Sequence, residues 1–206
     1  MHPAASPAIR RQIPEDAAAL RDVIGRALEA QPDVVALEEA LAQRSDSTGY
    51  VALVDDRVVG HVRLTRGWID AEARLVEVLV LSPLSVAPAW QRRGIGRALV
   101  AHAVAEADRA GAPAVFLEGD PAYYSRLGWR AAVELGVTPP SSRIPGPGCQ
   151  VVALPGWEAW MRGPLVYPDT FWVLDCVGVR GERLARARAG MANGTAGGSI
   201  SDAAPA

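Results

Sequence analysis

Apolar residues recur along the chain at two spacings, and their order predicts a mixed α/β domain. Apolar positions three or four residues apart, which indicate helices, cover residues 14–29, 34–44 and 95–110. Alternating or continuous apolar runs, which are typical of strands, cover residues 9–13, 50–54, 57–64, 75–86, 114–117, 129–137, 149–154 and 171–177. This order places antiparallel hairpins first and a strand–helix–strand unit in the middle.

The two ends of the chain depart from these patterns. Residues 1–8 predict a flexible arm, residues 9–180 one domain, and residues 181–206, which become rich in Gly, Ala and Ser, a disordered tail. The first residues lack the apolar core of a signal peptide, and no apolar run approaches the roughly 20 residues of a membrane span. The sequence therefore predicts a cytoplasmic protein with no membrane partner.

A proline interrupts the longest strand pattern. Residues 75–81 are strongly β-prone, Ser82-Pro83 follows, and the extended pattern then resumes. Proline within such a run marks an edge or a bulge, and a bulge leaves backbone groups that a ligand can use. The resumed segment supplies three candidate binding residues: Leu84, Ser85 and Val86.

The segment that joins this strand to the next helix reads Gln-Arg-Arg-Gly-Ile-Gly-Arg. Its two glycines let backbone N–H groups approach a ligand. Its three arginines lie at a helix N-terminus, where cations are normally unfavourable, so the pattern favours a bound anion such as a phosphate. The candidate anion-binding residues are Gln91, Arg92, Arg93, Gly94, Ile95, Gly96 and Arg97.

Composition and spacing exclude several other kinds of site. A Walker loop requires a lysine, which the chain lacks, and a dinucleotide fingerprint requires a third glycine that is absent after Gly96. A formal net charge of -2 does not favour nucleic-acid binding. Cys149 and Cys176 have neither metal nor redox spacing, so no metal site is predicted.

A second motif lies at residues 119–129, where Gly-Asp-Pro-Ala-Tyr-Tyr precedes Ser-Arg-Leu-Gly-Trp. Asp120 and Pro121 are typical of a helix start. In this order, the glycine loop and the Tyr pair resemble the GNAT superfamily of N-acetyltransferases, and specifically a bacterial predicted-acetyltransferase subgroup with a Gly-Asp-Pro-x-Tyr-Tyr motif. Residues 162–171 are similar to the C-terminal segment of that subgroup, so the resemblance covers roughly residues 9–175.

The resemblance implies a GNAT-type mixed sheet with antiparallel hairpins, splayed central strands and flanking helices. It implies acetyl-CoA as cosubstrate and no metal, with the amides of Leu84 and Val86 along the pantetheine arm and the glycine loop on the pyrophosphate. Tyr124 would lie beside the cofactor sulfur and act as general acid, because acyl transfer to an amine releases a thiolate that needs a proton.

The general base, the acceptor and the catalytic status stay open at the level of sequence. Glu77 and Glu118 are candidate bases, and a water relay is an alternative. The resemblance implies a primary amine as acceptor, on a small molecule or a peptide, and it also implies a possible homodimer. Alternative functions are acyl transfer from another acyl-CoA or to an oxygen acceptor, and a non-catalytic acyl-CoA-binding or regulatory module.

Overall fold

The computed structural model describes residues 7–28, 31 and 33–194. The nine strands of its sheet are β1 (Ala8–Arg11), β2 (Ser47–Val54), β3 (Arg57–Asp70), β4 (Leu75–Val86), β5 (Ala114–Glu118), β6 (Arg130–Ala131), β7 (Val137–Thr138), β8 (Cys149–Ala153) and β9 (Gly163–Val166). The α-helices are α1 (Ala17–Ala27), α2 (Asp33–Ala42), α3 (Ile95–Arg109), α4 (Pro121–Tyr124), α5 (Asp169–Val173) and α6 (Gly181–Gly194). This is the mixed α/β architecture that the sequence predicts.

The strands lie in the order β1-β2-β3-β4-β5-β8-β6. β1 to β4 are antiparallel neighbours, whereas β4 and β5 run parallel because α3 connects them. The β2–β3 hairpin turns at Asp55 and Asp56, whose φ angles of 49° and 59° suit a tight turn. β9 pairs with β3 at Trp68 and Ile69 and also with β7.

Helices cover both faces of the sheet. The predicted apolar stripe of α3 is confirmed, since Ile95, Leu99, Ala103 and Ala107 are all buried against one face. On the opposite face, α1 packs over β3 and β4, and α2 packs beside α1. Among the described residues, no helix is long and apolar enough to cross a membrane.

The bulge predicted at the proline lies in β4. Val62 of β3 pairs with Leu84 and Leu64 pairs with Leu81, so Arg63 alone faces both Ser82 and Pro83. The Ser82–Pro83 peptide bond is cis. Two residues opposite one is the arrangement that defines a bulge.

β4 and β5 separate soon after they meet, as expected for splayed central strands. Their register contains only Leu79 with Val115 and Val80 with Phe116. β4 continues to Val86 and β5 to Glu118 without further pairing between them. A gap therefore opens in the sheet between the ends of these two strands.

Two predicted strands are wrong in detail. Residues 129–137 form β6, then a 3-10 turn over Ala132–Leu135, then β7, because Gly136 at φ 75° ends the turn in a left-handed conformation. Residues 171–177 contain the end of α5 rather than a strand, and β9 lies earlier. Pro168 and Asp169 open α5 with a fixed φ and an acidic first turn, which local alternation of apolar residues does not reveal.

The predicted boundaries of the arm and tail also need correction. Ala8 already belongs to β1, and residues 1–6 lie outside the described part. Where the disordered tail is predicted to begin, α6 forms over Gly181–Gly194, rich in the helix formers Ala, Arg, Leu and Glu. Residues 195–206 of the predicted tail lie outside the described residues.

Candidate active site

The C-terminal end of β4 directs backbone N–H groups into the gap. The Ala87 N–H donates to Val59 O on β3, 2.9 Å away. Because backbone N–H groups alternate in direction along a strand, Leu84 and Val86 direct theirs away from β3. The predicted binding segment of residues 84–86 therefore presents two amides on the unpaired side, at the height where β4 and β5 have separated.

Ser85, the third residue of this segment, faces elsewhere. It is opposite His61 in the register, and cross-strand partners share a face of the sheet. Its hydroxyl is fully buried and has no hydrogen-bond partner in the described structure. Since the alternation along β4 also directs the Ser85 N–H toward β3, the structure brings neither its hydroxyl nor its backbone amide to the gap.

The glycine-rich loop closes directly onto the end of β4. The Gln91 side-chain amide donates to Val86 O at 3.0 Å, which ties the loop to the strand. Arg92 and Gly94 have positive φ angles of 59° and 84°, and these turn the backbone into α3. Among the residues that the structure describes, the backbone N–H groups from Arg92 to Arg97 donate no hydrogen bond. This range includes the free amides of Ile95 and Gly96, the first residues of α3.

The three arginines of the loop are exposed and surround these free amides. Arg93 lies over the Trp90 ring, with its guanidinium carbon 4.9 Å from the ring centroid. Within the described ranges, Arg92, Arg93 and Arg97 take part in no ion pair. Free amides, the positive end of α3 and unpaired cations together can hold a multiply charged anion.

Tyr124 ends α4 on the α3 side of the gap. Asp120 caps this short helix by accepting from the Ala122 N–H at 2.8 Å, as predicted. The Tyr124 ring packs edge-on against Tyr123 and Trp129, with centroids 4.9 and 5.7 Å away. Burial raises the pKa of Tyr124, so the phenol keeps its proton at neutral pH.

Glu118 is the last residue of β5, and its side chain lies on the opposite face of the sheet from Tyr124. Strand alternation places it with Phe116, which belongs to the α2-side core, whereas Leu117 and Tyr124 belong to the α3-side core. Its Oε2 accepts from the Gly178 N–H at 2.8 Å, and its Oε1 is buried without a partner in the described structure. Burial raises the pKa of Glu118 to about 7.

Glu77, the other predicted base, lies away from the gap. It precedes the paired residues Leu79 and Val80, whereas the gap opens after them. Its side chain is 63 % exposed and pairs with Arg66, with Oε2 and Nη1 3.3 Å apart. The structure therefore brings Glu118, but not Glu77, to the point where β4 and β5 separate.

A buried polar cluster behind β3 carries no sequence motif. Arg63 donates to both carboxylate oxygens of Glu38 at 2.7 Å and to Gln12 Oε1 at 2.6 Å. His61 lies beside this pair and is fully buried, which lowers its pKa to about 4 and keeps it neutral. These contacts satisfy buried charges beneath α1 and α2.

Neither cysteine fits a nucleophilic role. Burial raises the pKa of Cys149 to about 12 and that of Cys176 to about 11, so both are thiols at neutral pH. The described residues contain no group of three or more His, Cys, Asp or Glu side chains that could hold a metal ion.

A gap between splayed strands, flanked by a loop of free amides and arginines, a protonated phenol and a buried carboxyl, agrees with the GNAT-type fold that the sequence predicts. Residues 18–129 match the model of the acetyltransferase (GNAT) family. This match covers more than half of the chain, and the chain belongs to that family of N-acetyltransferases.

Similar proteins have been described in several bacteria. The Escherichia coli K12 protein named uncharacterized N-acetyltransferase YhbS is 28% identical over 125 residues, which are 60% of this chain and 74% of that protein. The crystal structure of YhbS in complex with CoA matches with a TM-score of 0.74 and 26% identity, over 83% of this chain and 94% of that one. A GNAT acetyltransferase from Brucella melitensis in complex with acetyl-CoA matches with a TM-score of 0.65 and 28% identity, over 82% and 99%.

Proposed function

We propose that the protein transfers an acetyl group from acetyl-CoA directly to a primary amine. The observation that carries this proposal is the separation of β4 and β5 after Val80 and Phe116, with a free-amide loop at one side and Tyr124 at the other. The crystal structures of similar proteins with CoA and acetyl-CoA support the choice of cosubstrate. The Gly-Asp-Pro-x-Tyr-Tyr sequence at residues 119–124 supports a place in the bacterial subgroup that carries this motif.

The glycine-rich loop and the end of β4 would bind two different parts of the cosubstrate. The residues proposed to hold its pyrophosphate are Gln91, Arg92, Arg93, Gly94, Ile95, Gly96 and Arg97. The Leu84 and Val86 amides face the gap, where they would donate to the pantetheine arm and to the thioester carbonyl, whose oxygen gains negative charge during attack. Gln91 already occupies Val86 O, so it would act by holding the loop against the strand.

Tyr124 would supply the proton that the leaving group needs. Acetyl-CoA supplies the acetyl group as an activated thioester. When the amine nitrogen bonds to the carbonyl carbon and the carbon–sulfur bond breaks, the sulfur takes the electron pair and Tyr124 can donate its proton there. The raised pKa of Tyr124 favours this role, because only a protonated phenol can donate.

Glu118 would take the proton that the amine loses. It lies at the gap on the face opposite Tyr124, its Oε1 has no partner among the described residues, and its pKa near 7 suits a base that works at neutral pH. Oε1 is buried, so the amine proton would reach it through a water relay rather than by direct contact with the amine. The exposed, ion-paired Glu77 has neither the position nor the environment for this role.

A thiol-release assay tests the proposal directly. The protein is incubated with acetyl-CoA and a panel of primary amines on small molecules and peptides, and free CoA is measured over time. Acetyl-CoA-dependent turnover with one class of amines is expected. Tight CoA binding without turnover on any amine would instead favour a binding module, and faster turnover with a longer acyl-CoA or an alcohol would redirect the assignment.

A further inference from the structure

The C-terminal segment from Tyr167 to Gly178 encloses the Glu118 carboxyl. The Gly178 N–H is the hydrogen-bond donor to Glu118 Oε2, 2.8 Å away. Gly178 has a φ of 64°, and a Cβ at this position would lie 2.7 Å from the carbonyl carbon of Arg143. Arg143 in turn pairs with Asp175 at 2.8 Å, which holds the segment against the loop before β8. The Gly178 amide therefore has a fixed position relative to Glu118.

Two polar atoms meet within this enclosure without completing a hydrogen bond. The Glu118 and Tyr167 side chains interact with each other, yet Glu118 Oε1 and the Tyr167 hydroxyl both lack a partner with hydrogen-bond geometry among the described residues. The Tyr167 ring is buried and packs against Phe171, with centroids 5.2 Å apart, so it cannot swing away freely. Buried polar atoms normally find a partner, and each of these two side chains is placed to supply the partner that the other lacks.

We propose that Tyr167 is a positioning residue, which together with the Gly178 amide holds the Glu118 carboxylate so that Oε1 accepts the proton leaving the acceptor amine. This inference rests on the proposed function, in which Glu118 is the base. In the step itself the amine N–H bond breaks, an O–H bond forms on Glu118, and Tyr167 keeps its proton while donating toward the carboxylate.

The groups around Glu118 are consistent with Glu118 as the proton acceptor and Tyr167 as a hydrogen-bond donor that keeps its proton. Arg143 and the Tyr167 hydroxyl both favour the ionised carboxylate, and burial opposes it. Cys149, its cross-strand partner, and Cys176 also face Glu118, but burial raises the pKa of each thiol to about 12 and about 11, so both stay neutral. Burial also raises the pKa of Tyr167 well above its usual value, so it acts as a donor throughout the working pH range.

The coupling can be measured without knowing the acceptor. In protein labelled with ¹³C at glutamate carboxyl carbons, one resonance should titrate near pH 7 and disappear in Glu118→Gln. Tyr167→Phe removes only the hydroxyl and should move that midpoint upward, on the order of half a pH unit or more. Tyr50→Phe is the matched control, since this Tyr is 7% exposed and packs on His102 at the other face of the sheet. An unchanged midpoint in Tyr167→Phe overturns the proposal.

Turnover then separates positioning from mere packing. With an amine found in the thiol-release assay, Tyr167→Phe should lower kcat and shift the acidic limb of the pH profile upward, while the KM for acetyl-CoA stays constant. The Glu118→Gln/Tyr167→Phe double variant should be no slower than Glu118→Gln, because residues that act as a unit are not additive. If Tyr167→Phe shifts the NMR midpoint but not the pH profile of kcat, the claim that Tyr167 positions Glu118 for catalysis is overturned. Full turnover in Glu118→Gln would overturn the base assignment itself.

Discussion

Gly119 leaves the space that the Tyr124 ring fills. A Cβ at this position would lie 2.2 Å from Tyr124 Cε2, closer than any side chain tolerates. Gly119 therefore determines where the Tyr124 ring lies relative to the end of β5. Sequence alone places Gly119 in the Gly-Asp-Pro-x-Tyr-Tyr motif before a helix start, whereas its contact with Tyr124 depends on how α4 folds back.

Replacing Tyr124 by Phe tests the acid role most directly. Since only the hydroxyl is lost, the ring contacts with Tyr123 and Trp129 should survive and the fold should be unchanged. Loss of a general acid typically costs about 10²-fold or more, so kcat in the thiol-release assay should fall by about that factor. CoA affinity should stay the same. Tyr50→Phe serves as control, and an unaltered kcat in Tyr124→Phe would remove this residue from the mechanism.

Gly119→Ala should disturb the same phenol by steric displacement. The added methyl group would push the Tyr124 ring out of its position, so kcat should fall and the thermal midpoint should drop. Gly25→Ala is a suitable control, because a Cβ there meets nothing within 4 Å and alanine favours the interior of α1. Equal activities of the two variants would show that Tyr124 tolerates displacement.

At the scale of elements, the feature of α3 that matters for the proposed site is the set of free backbone amides at its N-terminus. Gly94 leads into the helix at φ 84°, and the backbone N–H groups of Ile95, Gly96 and Arg97 donate no hydrogen bond in the described structure. Their orientation comes from helix geometry rather than from side-chain identity. A sequence pattern can locate this feature, because the strand, the glycines and the helix are adjacent along the chain.

Arg97→Gln should weaken CoA binding by about tenfold, as expected for one hydrogen bond to a charged group. The loss should shrink at high salt, because exposed charges are screened. Isothermal titration at two ionic strengths measures both effects. Arg109→Gln, at the opposite end of α3 and paired with Glu106, is the matched control and should bind normally. Identical affinities for both variants at low salt would argue against a phosphate site at Arg97.

The element scale also shows where sequence reasoning fails. The apolar run at 171–177 looks like a strand, but Pro168 and Asp169 begin a helix whose Phe171 fills the core beside Tyr167. Short apolar runs do not distinguish a strand from a buried helical turn. The Gly178 amide that donates to Glu118 comes directly after this run, so the misassigned stretch leads into the residue with the unforeseen role at the site.

At the scale of the whole molecule, two buried titratable groups oppose each other across pH. The pKa of Glu118 is raised to about 7, so its contribution to folding is greatest below its unfolded pKa near 4.5 and is lost as pH rises toward 7. The pKa of His61 is lowered to about 4, so its contribution is present above 6.5 and is lost as pH falls through 4. The two windows overlap between pH 4.5 and 6.5, so there the loss from Glu118 and the gain from His61 offset each other as pH rises.

Urea denaturation across pH tests this balance. In the wild type the free energy of unfolding should change by only about 1 kcal/mol between pH 5 and 8, because the gain from His61 offsets most of the loss from Glu118. In Glu118→Gln the His61 contribution is no longer offset, so the free energy of unfolding should instead increase by about 2 kcal/mol between pH 5 and 6.5. The same pH dependence in the wild type and in Glu118→Gln would assign it to other groups.

The sequence by itself determined the features whose parts are neighbours along the chain. These are the α3 stripe, the bulge at Ser82-Pro83, the glycine loop and the Asp120 cap, each set by local geometry and short-range sterics. Only the tertiary structure decided which carboxyl lies at the gap, because Glu77 and Glu118 are alike as residues and differ in what surrounds them. Glu118 interacts with Tyr167, Gly178 and Arg143, which lie far along the chain, and long-range contacts of this kind leave no periodic trace in a single sequence.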